Sequence, residues 1–307
     1  SPLFGGFDGV DITEPNPFSN RYLTGNGGSN KSTKLNYAVY SFNKALDSIR
    51  DSEVAAMDLL SFPGLTAPNL TTQILTLAAD RGDCLAIIDP NGGLSPAGEQ
   101  AVEASAGSIS TTVTNMRGRR LNNSYGCSYY PWVKVTTLES PGQINMPPSV
   151  AAIGAMAGSD LVSFPWFAPA GFRRGGLSPL GSSATGLSVV GTEEHLTKKN
   201  RDSLYSNNIN PIARFPASND IVVFGQKTLQ RTKSALDRIN VRRMMIYLKK
   251  QIGAIADQYL FEQNIESTWR AFRAQAARVL NELRADGGIT EYQLILDESS
   301  TTPDLVD

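Results

Sequence analysis

The stretch Asp202–Asn264 decides how this chain is read: DSLYSNNINPIARFPASNDIVVFGQKTLQRTKSALDRINVRRMMIYLKKQIGAIADQYLFEQN. Its first part predicts a loop, a strand at Ile212–Phe215, a turn at Ala217-Ser218-Asn219-Asp220 and a second strand at Ile221–Gly225. Apolar runs broken by Pro and by Asx and Ser turn chemistry are the signature of a β-hairpin. A long basic helix follows. Ser234 is placed to cap it, with Asp237 in the capping-box position three residues on. Leu236, Ile239, Met245, Leu248, Ile252, Ile255 and Tyr259 recur near helical spacing, and Arg238, Arg242, Lys249 and Lys250 fill much of the rest.

Toward the C-terminus, Ser267–Ala285 predicts a second helix with Trp269, Phe272, Ala276, Val279, Leu280 and Leu283 turned inward. Gly287-Gly288 ends it, and Tyr292–Leu296 predicts a final strand. Toward the N-terminus, apolar strands at Met57–Phe62, Cys84–Ile88, Ser128–Tyr130 and Val133–Val135 alternate with helices. Those helices are expected at Leu35–Ile49, from a cap at Asn69 to Ala79, from Pro96 to about Asn115, and at Ser149–Ala157 behind Pro147-Pro148. This alternation argues for an α/β fold with a parallel, helix-covered sheet. Phe164–Ser188 is dense in Gly, Pro and Ser and is the best internal boundary. The expectation is two units: an α/β unit over 1–188, led by an extended segment of about 33 residues, and an α+β unit over 189–307 with two long helices and a small sheet.

Composition limits the function. The 307 residues hold 28 Lys+Arg against 29 Asp+Glu, a net charge of −1, so nothing global favours nucleic acid or a membrane surface. Two cysteines, Cys84 and Cys127, cannot make a disulfide scaffold or a structural zinc site and read as buried thiols. No apolar run is long enough to span a bilayer. The abrupt start at Ser1 and stop at Asp307 suggest a trimmed, protease-resistant piece.

Candidate chemistry is sparse. Gly25-Asn26-Gly27-Gly28-Ser29-Asn30-Lys31-Ser32 has the spacing of a phosphate-cradling loop, but Asn30 replaces the second glycine and no buried strand precedes it. An NTPase using Lys31 and Ser32 is the enzymatic alternative. His195 is the sole histidine, in a polar segment expected to lead exposed into a helix, and no nucleophile elbow lies near it. Asp8, Asp11 and Glu14 lack the grammar of a calcium loop, so no metal site is assigned. Phe164, Trp166, Phe167 and Phe172 beside Arg173-Arg174 could stack bases, but they read better as loop anchors or a subunit contact. No catalytic residue and no cofactor are assigned. The informative feature is cationic: Lys227, Arg231, Lys233, Arg238, Arg242, Arg243, Lys249 and Lys250 face only Asp237 before Asp257. Such a run is a solvated face or a surface that meets an acidic protein.

Asn208-Ile209-Asn210-Pro211, Val222-Val223-Phe224-Gly225, Thr228-Leu229, Arg238-Ile239-Asn240-Val241-Arg242-Arg243 and Phe261-Glu262 together resemble contractile-phage tail sheath proteins. The resemblance extends back to Phe164–Leu177 and forward to Ile295-Leu296-Asp297-Glu298. Gln263-Asn264 stands where the family usually has Pro-Asn. The resemblance implies a structural, non-enzymatic subunit of the virion's contractile tail, assembled in the host cytoplasm, whose first unit has subtilisin-like topology without protease activity. Its implied partners are further copies of itself in a helical polymer, the tail tube protein, and the baseplate and tail terminator proteins. A related contractile injection system is the alternative setting. On that reading Arg231, Lys233, Arg238, Arg242, Arg243, Lys249 and Lys250 face the tube or a neighbouring subunit. Tyr292, Leu294 and Leu296 would form an edge strand between subunits.

Overall fold

The run Leu85–Ile88 has no polar side chain to turn toward water, and it forms β2, a strand buried along its whole length. It lies between β1 (Leu59–Ser61) and β3 (Gly126–Tyr130), both parallel to it. The computed structural model in which this is seen describes residues 18, 20–23, 37–91, 108–136, 143–178, 189–216 and 220–296. Continuing across the sheet, β3 pairs parallel with β7 (Asn210–Phe215), and β7 pairs antiparallel with β8 (Asp220–Val223). The strand order is β1-β2-β3-β7-β8.

A largely parallel sheet must be covered on both faces. One face packs under α1 (Asn20–Leu23), α2 (Tyr37–Ser48), α3 (Pro68–Arg81), α4 (Ile109–Gly118) and α7 (Lys198–Ser206). Leu23, Leu46, Leu70, Ile74, Met116 and Leu204 meet Ala86 and Ile88 there. The pleat sends Leu85 and Ile87 the other way, against Ala151, Ala155 and Met156 of α5 (Pro148–Val162) and Ile239 and Ile246 of α8 (Ile239–Asp257). Beyond α5, the short α6 (Gly171–Arg174) precedes a bridge from Gly176 to Val222 of β8. A second, antiparallel sheet, β5-β4-β6, comprises β4 (Val133–Thr136), β5 (Gln143–Met146) and β6 (Val189–Thr192). Finally, α9 (Glu266–Ala285) packs Leu280 and Leu283 on Met244 and Leu248 of α8, with Trp166 in the same cluster.

The mixed α/β class with a largely parallel sheet is therefore as expected. The hairpin β7–β8 also forms, but it completes the main sheet instead of standing alone. The boundary expected at residue 188 and the turn at 217–219 lie outside the described residues, as does the first part of the helix expected from Pro96.

Several local expectations are corrected. Asn69 does not cap α3: Ala67 holds the cap position with no side-chain bond, and Pro68, whose missing N–H costs nothing there, opens the helix. Ser234 caps only a short 3-10 turn at Ala235–Asp237, and α8 begins at Ile239. The loop expected from Asp202 is instead the end of α7, capped by the Thr197 hydroxyl. Met245 is 44% exposed, not inward. Residues 291–296 form no strand.

Candidate assembly surfaces

Ile239, Arg242, Arg243 and Ile246 stand at i, i+3, i+4 and i+7, on one face of α8. That face is the buried one, so both arginines go inward with the two isoleucines. Arg243 is 6% exposed and forms an ion pair with Asp160 of α5. Arg242 donates to the Ser124 hydroxyl, and its guanidinium lies 4.0 Å from the centre of the Tyr125 ring. Burial pushes its pKa below the usual arginine value, and contact with Tyr125 opposes that.

The remaining cations of the run are dispersed. Lys250 pairs with Asp58 at 2.5 Å and donates to the Met57 carbonyl at 2.7 Å, tying α8 to the start of β1. Lys249, exposed, reaches the Arg81 carbonyl at 3.5 Å. Arg238 pairs with Asp237 at 3.2 Å and donates to the Tyr205 hydroxyl. Arg231 is exposed, with its backbone N–H on Asn122 Oδ1 at 2.9 Å and Nη2 on the Arg117 carbonyl at 3.1 Å. Lys233 is exposed and has no hydrogen bond or ion pair among the described residues. The seven residues thus form no single face. Arg242 and Arg243 hold the fold, whereas Arg231 and Lys233 remain open to a partner.

Tyr292, Leu294 and Leu296 are half-buried and alternate with exposed Glu291, Gln293 and Ile295. A period of two is the pattern of a strand lying with one face on the protein, yet no neighbouring strand pairs with it among the described residues. Arg273 anchors its end by donating to the Leu296 carbonyl.

The motifs around β7 prove to be joints. Asn210, fully buried, donates to the carbonyls of Ser128 at 3.1 Å and Lys227 at 2.8 Å and accepts from the Lys227 N–H at 2.7 Å. It stitches β3 to the segment after β8. Asn208, at φ 62°, donates to the carbonyls of Thr228 and Gln230, both at 2.8 Å. A Cβ at Gly225 would lie 2.8 Å from Asn210 Oδ1 and 3.0 Å from Pro211 Cδ, which explains the glycine.

Other candidates resolve plainly. His195 is exposed, two residues before the Thr197 cap of α7. Trp166 stacks on Phe164 at 4.6 Å, faces Tyr247 at 5.6 Å and donates to the Asp286 carbonyl at 3.3 Å, so it anchors its loop to the α8–α9 pair. Phe172 packs on Phe215 at 5.1 Å, and Arg174 lies 4.9 Å from the Phe167 ring. Cys84 and Cys127 are free and buried, and burial pushes their thiols up to about 11 and about 12. Among the described residues no acidic, His and Cys cluster could hold a metal, and no helix is long and apolar enough to cross a membrane. The Gly25–Ser32 loop and Asp8, Asp11 and Glu14 lie outside the described residues.

Sequence reading missed Asp89, 1% exposed at the end of β2. Its carboxylate accepts from the N–H of Gly64 at 2.8 Å and from the N–H and hydroxyl of Ser149 at 3.0 and 2.8 Å. It thereby fixes the start of α5 to the turn after β1. Burial raises its pKa to about 6, with those hydrogen bonds opposing the rise. Only the turn residues around Asp89-Pro90 hinted at it.

This arrangement is the fold of contractile sheath proteins. The sheath of an extracellular contractile injection system in its contracted state superposes with a TM-score of 0.60, at 22% identity, over 89% of this chain and 71% of that one. The C-terminal part is the most specific: residues 231–306 match the family described as phage tail sheath C-terminal domain. The tail sheath protein of Vibrio phage KVP40 is 36% identical over 154 residues, 50% of this chain and 22% of the relative's length. The tail sheath protein of Enterobacteria phage T4 is likewise 36% identical over 154 residues, again 50% of this chain and 22% of that protein. The resemblance read from the motifs is thus borne out.

Proposed function

We propose that this chain is part of a structural subunit of a bacteriophage contractile tail sheath, polymerising around the tail tube and contracting to drive the tube through the host envelope. The observation that carries the proposal is the 36% identity over 154 residues to phage tail sheath proteins, on a sheath fold. The same identity favours a phage tail over an injection system, since the injection-system sheath is 22% identical. The work of such a subunit needs no catalytic site. An extended array is trapped kinetically, and its release lets subunits rotate as nearly rigid bodies into a lower-energy packing. We assign no enzymatic activity and no cofactor.

Further copies of the chain, the tail tube protein, and the baseplate and tail terminator proteins are the proposed partners, in a tail assembled in the host cytoplasm. Arg231 and Lys233 are the cations of the basic run best placed for such contacts. Tyr292, Leu294 and Leu296 are proposed to add to a neighbouring subunit's sheet. The units 1–188 and 189–307 are kept as a proposed division of the chain, with β7, β8 and α8 of the second completing the sheet and core of the first. The test is negative-stain electron microscopy of the chain incubated with purified phage tail tubes. Regular helical decoration of the tubes, or free hollow tubes of sheath, is the expected outcome. Bare tubes at every protein concentration overturn the reading.

A further inference from the structure

Helix α3 separates two surfaces of opposite charge. At its first turns the end of α4 is tied down by Arg119, which donates to the hydroxyls of Thr71 at 2.8 Å and Thr72 at 3.1 Å. Burial without an acidic partner holds Arg119 down to about 10. Arg117 and Arg120 flank it in the chain, and Arg231 and Lys233 belong to the segment bonded to Arg117; all four are exposed and none is in an ion pair among the described residues. The bond from Arg231 Nη2 to the Arg117 carbonyl, 3.1 Å, joins the two segments into one basic patch.

At the other end of α3 the charge is reversed. Arg81, in the last turn, pairs with Asp83 at 2.8 Å and donates to the carbonyls of Asp51 at 3.1 Å and Ala55 at 2.6 Å. The loop after α2 is thereby clamped to α3. It presents Asp51 and Glu53, with Asp80 of α3 beside them, all exposed and none in an ion pair among the described residues. Arg50 adjoins Asp80 but is paired with Asp47, and Lys249 on the Arg81 carbonyl is the opposing charge at this end, so the surface stays net acidic. From Thr71 and Thr72 to Asp80 and Arg81 there are nine residues, which at ~1.5 Å each put roughly 14 Å of helix between the two patches. That exceeds a Debye length of about 8–10 Å at moderate salt, so the patches do not neutralise each other within one molecule.

From this we infer that the basic patch at the end of α4 docks on the acidic patch at the α2–β1 loop of a second copy of this chain. The partner is another copy because one chain carries both complementary patches, each built on a clamped segment. The patches are different surfaces, so the contact is heterologous. Repeated, it propagates as a ring or helix and does not stop at a two-fold dimer. Exposed charges in this arrangement set register and encounter more than raw affinity. The inference rests on the sheath reading and names one contact within it.

Sedimentation velocity of the full chain tests it, with Arg117→Glu/Lys233→Glu as one variant and Glu53→Lys/Asp80→Lys as the other. None of these side chains makes a hydrogen bond among the described residues, and unchanged thermal unfolding checks that the variants fold. The wild-type chain should associate at low salt, and association should weaken at least tenfold at high salt. Each variant alone should stay monomeric, and an equimolar mixture of the two should associate again. Association of either variant alone, a mixture that stays monomeric, or no association of the wild type overturns the inference. If tube decoration persists with both variants, the contact is wrong and the sheath reading stands. If only the basic-side variant loses decoration while self-association is unchanged, that patch serves the tube. Absence of decoration by the wild type removes the sheath reading itself.

Discussion

Arg243 of α8 and Asp160 of α5 form an ion pair in which the arginine side chain is 6% exposed and the aspartate 34%. The pair crosses between the helix that carries the basic run and the helix that covers the sheet. Only the arginine is buried: removing it leaves Asp160 open to water, so the cost is the lost charge-assisted hydrogen bond, on the order of 1–3 kcal/mol. Arg243→Ala is therefore expected to lower the unfolding free energy in urea denaturation by that order, and Arg243→Glu to lower it further by placing two carboxylates together. An unfolding free energy within about 0.5 kcal/mol of wild type would show that the pair carries no net stability.

The approach of Gly225 to Asn210 leads to a second expectation. A methyl group at residue 225 would sit 2.8 Å from Asn210 Oδ1 and 3.1 Å from Asn210 Cα, so the β7–β8 hairpin must shift. Gly225→Ala should destabilise by about 1–3 kcal/mol through this overpacking. Asn210→Ala should cost at least as much, because the carbonyls of Ser128 and Lys227 and the Lys227 N–H lose their partner. Chemical denaturation of the two variants checks both. Equal stability of Gly225→Ala and wild type would contradict the close approach.

These residues show where sequence reading reaches and where it stops. The apolar runs that became β2 and β3 were legible because both sheet faces are covered, which leaves no polar alternation to hide them. The motifs around Asn210 were legible as a pattern, but their role was not, since the carbonyls they meet lie on other strands. Arg242 and Arg243 were misread for the same reason. Periodicity assigns charge outward by default, and the groups that let these two point inward, Tyr125 and Asp160, stand more than 80 residues away in the chain. Met245 took the inward place in that reading because the adjacent Met244 offers the same side chain one position, and about 100°, away. Tyr292–Leu296 reads as a strand and keeps its alternation, yet a strand also needs a partner edge, and that is not a property of the segment itself.

Asp89 predicts a pH dependence of unusual sign. Its pKa of about 6 stands above the ordinary value of 3.8, so folding takes up a proton between those values. The contribution to stability is full below about pH 4 and is lost as pH rises through about 6, an effect of about 3 kcal/mol. Asp89→Asn cannot titrate and should remove this component. The stability difference, wild type minus variant, should therefore fall by that order between pH 4 and pH 7 in parallel denaturation curves. A difference independent of pH would mean that the carboxyl keeps an ordinary value.

The segment of Tyr292, Leu294 and Leu296 separates folding from assembly. Its backbone belongs to no strand among the described residues; it is held by the bond from Arg273 to the Leu296 carbonyl, by the Tyr292 hydroxyl donating to Asn281 Oδ1 at 2.9 Å, and by Tyr292 packing on the α8–α9 cluster. Leu294→Pro deletes one N–H and fixes φ, which a strand paired at that residue would not tolerate. A subunit that uses this segment only between copies should keep its thermal unfolding midpoint within about 2 °C, since little that is internal changes. Its assembly on tail tubes, scored by negative-stain electron microscopy, should be lost. Leu294→Val preserves the N–H and the β-branched preference of a strand, and it should assemble as wild type does. Normal assembly of the proline variant would exclude backbone pairing at residue 294. A fall in its midpoint of many degrees would instead place the segment among the elements that hold the subunit together.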